Sequence, residues 1–151
     1  MLIADLDGFH VNYRIDGDPD GAPVVFANSL GTDLRLWDKV LPLLPAGLKF
    51  IRYDKRGHGL TDATAQPYSM GGLVRDVESL LDHLGVKDAL FVGLSIGGMI
   101  GQGLAVKRMD LVRSLVISNS GAKIGVPSMW QDRIDAVNRD GIESLADAVM
   151  E

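Results

Sequence analysis

The sequence predicts an α/β fold, a mostly parallel sheet with an antiparallel hairpin at its N-terminal end. Three observations carry this. From residue 23 onward, short apolar runs alternate with segments of helical periodicity, the pattern of strand-helix units covered on both faces by helices. Before residue 23, two strand-like runs are joined by Asp7-Gly8, a hairpin signal. Finally, the apolar run 89–92 enters Gly93-Leu94-Ser95-Ile96-Gly97, a G-x-S-x-G turn between strand and helix.

Taken in order, residues 2–6 and 9–15 are the hairpin strands. Gly17-Asp18-Pro19-Asp20-Gly21 is a loop by its turn chemistry. Residues 23–27 form a third strand, short and apolar, that runs into Asn28-Ser29-Leu30-Gly31-Thr32-Asp33. A helix is expected over 34–44, capped by Thr32 or Asp33. Residues 48–53 read as the fourth strand, followed by the loop 54–62. Ser69 is placed to cap a helix ending near Leu84, with Gly85 as its stop and Leu73, Val77, Leu80, Leu81 and Leu84 as an apolar stripe. The elbow strand and a helix over 96–108 come next, then a sixth strand over 112–117 ending at Ser118-Asn119-Ser120-Gly121. Right-handed crossovers set the loops after the third and elbow strands side by side at the carboxyl edge.

The chain changes character after Gly121. Two amphipathic helices are expected, one capped by Ser128 and reaching about Arg139, one beginning at Gly141. Neither follows a strand. The expected division is therefore 1–121 as sheet core and 122–151 as the start of a helical lid over the carboxyl edge.

The elbow spacing has a physical reason. A serine on a sharp strand-to-helix turn sits in strained backbone, and residues two before and two after it crowd the turn. Glycine at 93 and 97 removes the side chains that would clash. Ser95 then stands at a helix N-terminus, where free N–H groups and the helix dipole favour negative charge. With 18 glycines in 151 residues, the bare pattern would arise by chance in roughly one such chain in ten. Its place between strand and helix gives it weight.

Composition narrows the function. Apolar content of 46% and charged content of 23% are those of a globular protein. A net charge of −5 argues against nucleic acid or an anionic membrane as partner. The absence of cysteine rules out disulfides and thiolate catalysis. No basic-then-apolar leader opens the chain and no apolar run is long enough to span a bilayer, so a cytoplasmic location is the expectation. The 54–62 loop lacks the ligand spacing of a zinc or calcium site, and no metal or cofactor is expected.

With these motifs in place, the chain resembles the α/β-hydrolase superfamily along its whole length. The Asn28-to-Asp33 loop with Trp37, Tyr53-Asp54-Lys55-Arg56-Gly57-His58-Gly59, and Gly93-Leu94-Ser95-Ile96-Gly97-Gly98 stand in that family's order and spacing. Within it, Asn-Ser-Leu-Gly-Thr and Leu-Ser-Ile-Gly-Gly-Met-Ile look like 3-oxoadipate enol-lactonase, which opens an enol-lactone ring in β-ketoadipate aromatic degradation. The resemblance implies that Ser95 attacks a lactone or ester carbonyl and that water hydrolyses the acyl-enzyme. It implies an oxyanion hole from the backbone N–H groups of Leu30 and Ile96. Many relatives carry His-Gly where this chain has Asn28-Ser29, a change that a backbone donor tolerates. Trp130 is either a wall of the substrate pocket or ordinary lid packing. Arg133, one turn on, either meets a substrate carboxylate or is a solvated helix residue. Other activities of the same fold remain open, among them carboxylesterase, C–C bond hydrolase and cofactor-free haloperoxidase, as does a non-catalytic hydrolase-like binding protein.

The pattern breaks after the elbow. This fold's serine hydrolases use an acid and then a histidine, both later in the chain than the serine. No histidine follows Ser95. His10 lies in the hairpin, His58 in the 54–62 loop, where local bonding is expected, and His83 near a helix end. Asp110, Asp132, Asp135, Asp140, Glu143, Asp147 and Glu151 precede the family's expected acid-bearing strand. The expectation is the N-terminal part of a longer hydrolase, ending within the lid. It would be inactive alone and prone to self-association through an exposed strand edge.

Overall fold

The computed structural model describes residues 1–6, 8–65 and 67–145. Asp7 of the hairpin signal, Asp147 and Glu151 lie outside them. The hairpin forms from β1 (Leu2–Leu6) and β2 (Phe9–Gly17), antiparallel, with Leu6 opposite Phe9. After it come β3 (Ala22–Ala27), β4 (Leu48–Tyr53), β5 (Ala89–Leu94) and β6 (Val112–Ser118). Three α-helices are described: α1 (Met70–His83), α2 (Ile96–Lys107) and α3 (Pro127–Asp140).

The strands make one six-stranded sheet in the order β1-β2-β4-β3-β5-β6. Only the β1–β2 and β2–β4 pairs are antiparallel. β3 is parallel to both β4 and β5, and β5 to β6. From β3 the chain moves one way to β4, then crosses back past β3 to β5. Right-handed crossovers put connections of opposite direction on opposite faces. The ends of β3 and β5 therefore border a switch point, the crevice where open α/β sheets hold ligands.

The two faces are covered differently. Val25 and Ala27 of β3, Ile51 of β4 and Phe91 of β5 face α1 and α2, whose Val77, Leu80, Leu81, Ile100 and Leu104 are fully buried. Each such residue contributes roughly 1.5–3 kcal/mol. Ser69 caps α1 as its sequence predicts, its Oγ accepting from Gly72 N–H at 3.1 Å. On the opposite face, Val24, Phe26 and Phe50 pack with Trp37. Here the sequence misleads. The helix expected over 34–44 is two 3-10 turns, Leu34–Trp37 and Leu41–Leu43. Pro42 cannot donate to a helical ladder, and Arg52, buried on this face, hydrogen-bonds the Leu34 carbonyl at 3.0 Å and ion-pairs with Asp16 and Asp38. Among the described residues, α-helices thus cover one face, not both.

Beyond β6, α3 begins with Pro127 and is preceded by an extended Val126, with no side-chain cap from Ser128. Proline at the first helical position needs no N–H partner. None of its residues is buried. The segment beginning at Gly141 is, where described, a 3-10 turn over Ile142–Leu145. β6 is an edge strand with Val116 and Ile117 nearly half exposed.

Candidate active site

β5 delivers Ser95 to the crevice in strained backbone, φ 56° and ψ −119°, at a cost of about 1–3 kcal/mol. The turn is possible because two side chains are missing. A Cβ on Gly93 would collide with the Gly97 carbonyl, and a Cβ on Gly97 would collide with the Ala27 carbonyl at the end of β3. Hydrogen bonds hold the strained residue. Its N–H donates to the Ser118 carbonyl at 2.9 Å, and its carbonyl accepts from Gly98 N–H at 2.9 Å and from Ser120 Oγ at 2.6 Å. Its half-buried hydroxyl makes no hydrogen bond among the described residues.

Ile96 opens α2, so its N–H is one of the donors that a helix leaves without an internal partner. Across the crevice lies the loop 28–33. β3 and β5 are directly paired, Phe26 with Val92 and Ala27 with Gly93, and this register brings the loop beside the elbow. Leu30, half exposed, has no hydrogen bond on its backbone N–H among the described residues.

This loop is held from below by groups to which sequence reasoning gave no role. Asn28, buried, donates to the Tyr53 carbonyl at 3.1 Å and accepts from Trp37 Nε1 at 2.7 Å. Asp54 accepts from Leu34 N–H at 2.7 Å and from Asn12 Nδ2 at 2.7 Å. Lys55, only 3% exposed, donates to the Ser29 carbonyl at 2.5 Å. Burial pushes its ammonium down to about 8, against the opposing pull of Asp54 and Asp33. His58 was expected to bond locally. It does so through Nδ1, 3.2 Å from the Arg56 carbonyl, but its Nε2 also accepts from Gly31 N–H at 3.0 Å. Burial first, then Lys55, holds its pKa below the ordinary value. No sequence signal links His58 to Gly31.

The other candidates make their own contacts. Trp130 donates from Nε1 to the Ile124 carbonyl at 2.8 Å, and Arg133 stacks on its ring with the guanidinium 5.4 Å from the centroid. His10 pairs with Asp62 at 3.0 Å, and His83 ends α1. Two cavities are lined by other residues, one by Arg56, Tyr68 and Asp76, the other by Arg14, Asp38 and Arg52, and neither includes Ser95. No group of metal-ligating side chains occurs among the described residues, and no described helix is long and apolar enough to cross a membrane.

The chain has relatives among known proteins. Residues 22–140 match the α/β-hydrolase fold family. The chain is 37% identical over 136 residues to 3-oxoadipate enol-lactonase 2 of Acinetobacter baylyi, covering 90% of this chain and 51% of that protein. A putative carbamate hydrolase of Variovorax paradoxus is 34% identical over 75% of the chain and 43% of its own length. The crystal structure of the enol-lactonase from Burkholderia xenovorans superposes with a TM-score of 0.94 at 38% identity, over 99% of this chain and 58% of that one. The chain thus spans about half the length of the curated relatives it matches. With more than half of its residues matching the family and 37% identity to a relative over 90% of its length, it belongs to the α/β-hydrolase fold family.

Proposed function

We propose that this chain supplies the nucleophile and oxyanion halves of a hydrolase acting on carboxylic esters or lactones, with 3-oxoadipate enol-lactone as the leading substrate. The observation that carries the reading is Ser95 itself: strained, half buried, at the N-terminus of α2, its hydroxyl unbonded among the described residues. Ser95 Oγ adds to the substrate carbonyl and its proton passes to a base. Leu30 and Ile96 N–H hold the oxyanion. The ring oxygen leaves as an enolate, which takes up the proton, and water then hydrolyses the ester on Ser95. Neither a metal nor a cofactor enters this chemistry.

The substrate-level reading rests on similarity to enol-lactonases at 37% and 38% identity. A different activity of the same fold is the second reading, favoured by the 34% identity to a putative carbamate hydrolase. Residues 1–121 are assigned to the core and 122–151 to the start of a lid, where Trp130 walls the substrate and Arg133 meets its carboxylate. The partner is a small ester or lactone, not nucleic acid or membrane, and the setting is cytoplasmic.

No histidine follows Ser95, so the 151-residue polypeptide is proposed to be inactive on its own and to self-associate through β6. The test replaces the missing base. Alone, the polypeptide should hydrolyse enol-lactone and p-nitrophenyl acetate no faster than Ser95→Ala. Imidazole added at pH 8 should produce acylation by p-nitrophenyl acetate, located on Ser95 by peptide mass spectrometry. Equal labelling of Ser95→Ala would remove the nucleophile assignment.

A further inference from the structure

Leu30 N–H and the Ser29 carbonyl belong to one peptide unit. A trans peptide is planar, with its N–H and C=O pointing in opposite directions. Lys55 Nζ grips the carbonyl end at 2.5 Å, which turns the N–H end away from the lysine. Thr32 Oγ1 donates to the same carbonyl at 2.9 Å. A cation on the carbonyl also polarises the peptide and makes its N–H a stronger donor. The next peptide unit is fixed as well, since Gly31 N–H donates to His58 Nε2 at 3.0 Å. Two neighbouring peptide units are thus set by two side chains of the 54–59 loop, leaving the Leu30 N–H between them unpaired among the described residues.

We propose that Lys55 and His58 are positioning residues that together aim the Leu30 N–H, and that protonation of His58 opens this clamp. The inference rests on the reading of Leu30 as an oxyanion donor. The bonds themselves dictate the protonation state. The Arg56 carbonyl only accepts, so Nδ1 carries the hydrogen. Nε2 must then be the bare nitrogen to accept from Gly31. A proton on Nε2 removes that acceptor and turns a donor against a donor. It also adds a second cation beside Lys55. The charged groups acting on the ring are Lys55 and Asp54 of its own loop, the lysine opposing protonation and the aspartate favouring it. From the 28–33 loop, Asp33 acts on Lys55.

Hydrogen exchange of the 28–33 segment, corrected for intrinsic rates and read on the 151-residue polypeptide between pH 5 and 8, tests the clamp. Wild type should be protected near pH 7.5 and lose that protection as His58 protonates. His58→Gln, whose amide oxygen reaches the Nε2 position and cannot protonate, should be protected throughout. His58→Ala should be unprotected throughout, and Lys55→Met should weaken protection near neutrality. Peptides from β3 and β5 report in the same experiment that each variant is folded. Equal, pH-independent protection in wild type and His58→Ala would overturn the proposal. Imidazole-assisted acylation of Ser95 at pH 8 is the second arm. It should fall roughly 10- to 100-fold in His58→Ala and recover in His58→Gln. Acylation of a folded His58→Ala at the wild-type rate overturns the positioning role. A clamp seen by exchange together with no Ser95 acylation in wild type refutes the hydrolase reading instead.

Discussion

Gly97 on the first turn of α2 lies directly against the carbonyl of Ala27, the last residue of β3, with no room for a side chain. The helix that begins at the elbow is therefore pressed onto the strand that leads to the 28–33 loop. Gly97→Ala must push these elements apart, and Gly97→Val, β-branched, more so. A loss of about 3 kcal/mol or more is expected, read from urea midpoints, together with loss of Ser95 acylation.

Ser95 behaves differently. Its backbone lies where only glycine is comfortable, so Ser95→Gly should raise stability by about 1 kcal/mol, measured by the same unfolding curves. Ser95→Ala keeps the strain and should leave stability nearly unchanged. In any longer polypeptide that carries the full machinery, it should lower kcat by several orders of magnitude.

Arg56 fits between two rings and a helix. Its guanidinium is forked onto the Asp76 carboxylate of α1, hydrogen-bonded to Thr64 at 2.8 Å and stacked 4.3 Å from the centre of Phe9. Asp76→Ala leaves that guanidinium unpaired and should cost about 3 kcal/mol. Combining it with Arg56→Met should recover part of the loss. A double variant as unstable as the sum of the singles would contradict the pairing.

Tyr53 gives a prediction of opposite sign. Its ring is buried and its hydroxyl has no hydrogen-bond partner among the described residues. Tyr53→Phe removes a desolvated polar group and should keep or raise stability, by up to about 1 kcal/mol, in thermal or chemical denaturation.

Lys55 links stability to alkaline pH. Its folded-state pKa, about 8, lies below the ordinary 10.5. Between these values the unfolded chain holds a proton that the folded one has released, so stability should rise with pH over that window and be lower below it. Lys55→Met should abolish that slope. A wild-type slope unchanged in the variant would assign the titration to another group.

Sequence carried much of this architecture, because strand ends and caps are written locally. The bounds of β1 and β4 follow from apolar runs ended by turn residues, Ser69 caps α1, and Gly93 and Gly97 flank the elbow at the spacing its sterics require. Pro42 signalled the break in the 34–44 segment, yet the apolar periodicity around it masked the signal. Arg52, Lys55 and His58 could not be read this way. Their partners, Asp16, Ser29 and Gly31, lie 26 or more residues away, and local pattern says nothing about which distant carbonyl a buried cation will meet. The short motif around His58 looked self-contained because half of its bonding, to Arg56, is.

The pairing of β3 with β5 has a kinetic meaning. These strands are separated in the chain by β4 and α1, and they meet only as non-local parallel neighbours. Such contacts form slowly, since a long loop must close before any hydrogen bond rewards it. The elbow and the 28–33 loop are each short enough to curl early, yet they face one another only after that closure. The crevice between them should accordingly be among the last features to appear as the chain folds. Whatever first detaches β5 from β3 dismantles it at a stroke, because its two sides belong to those two strands.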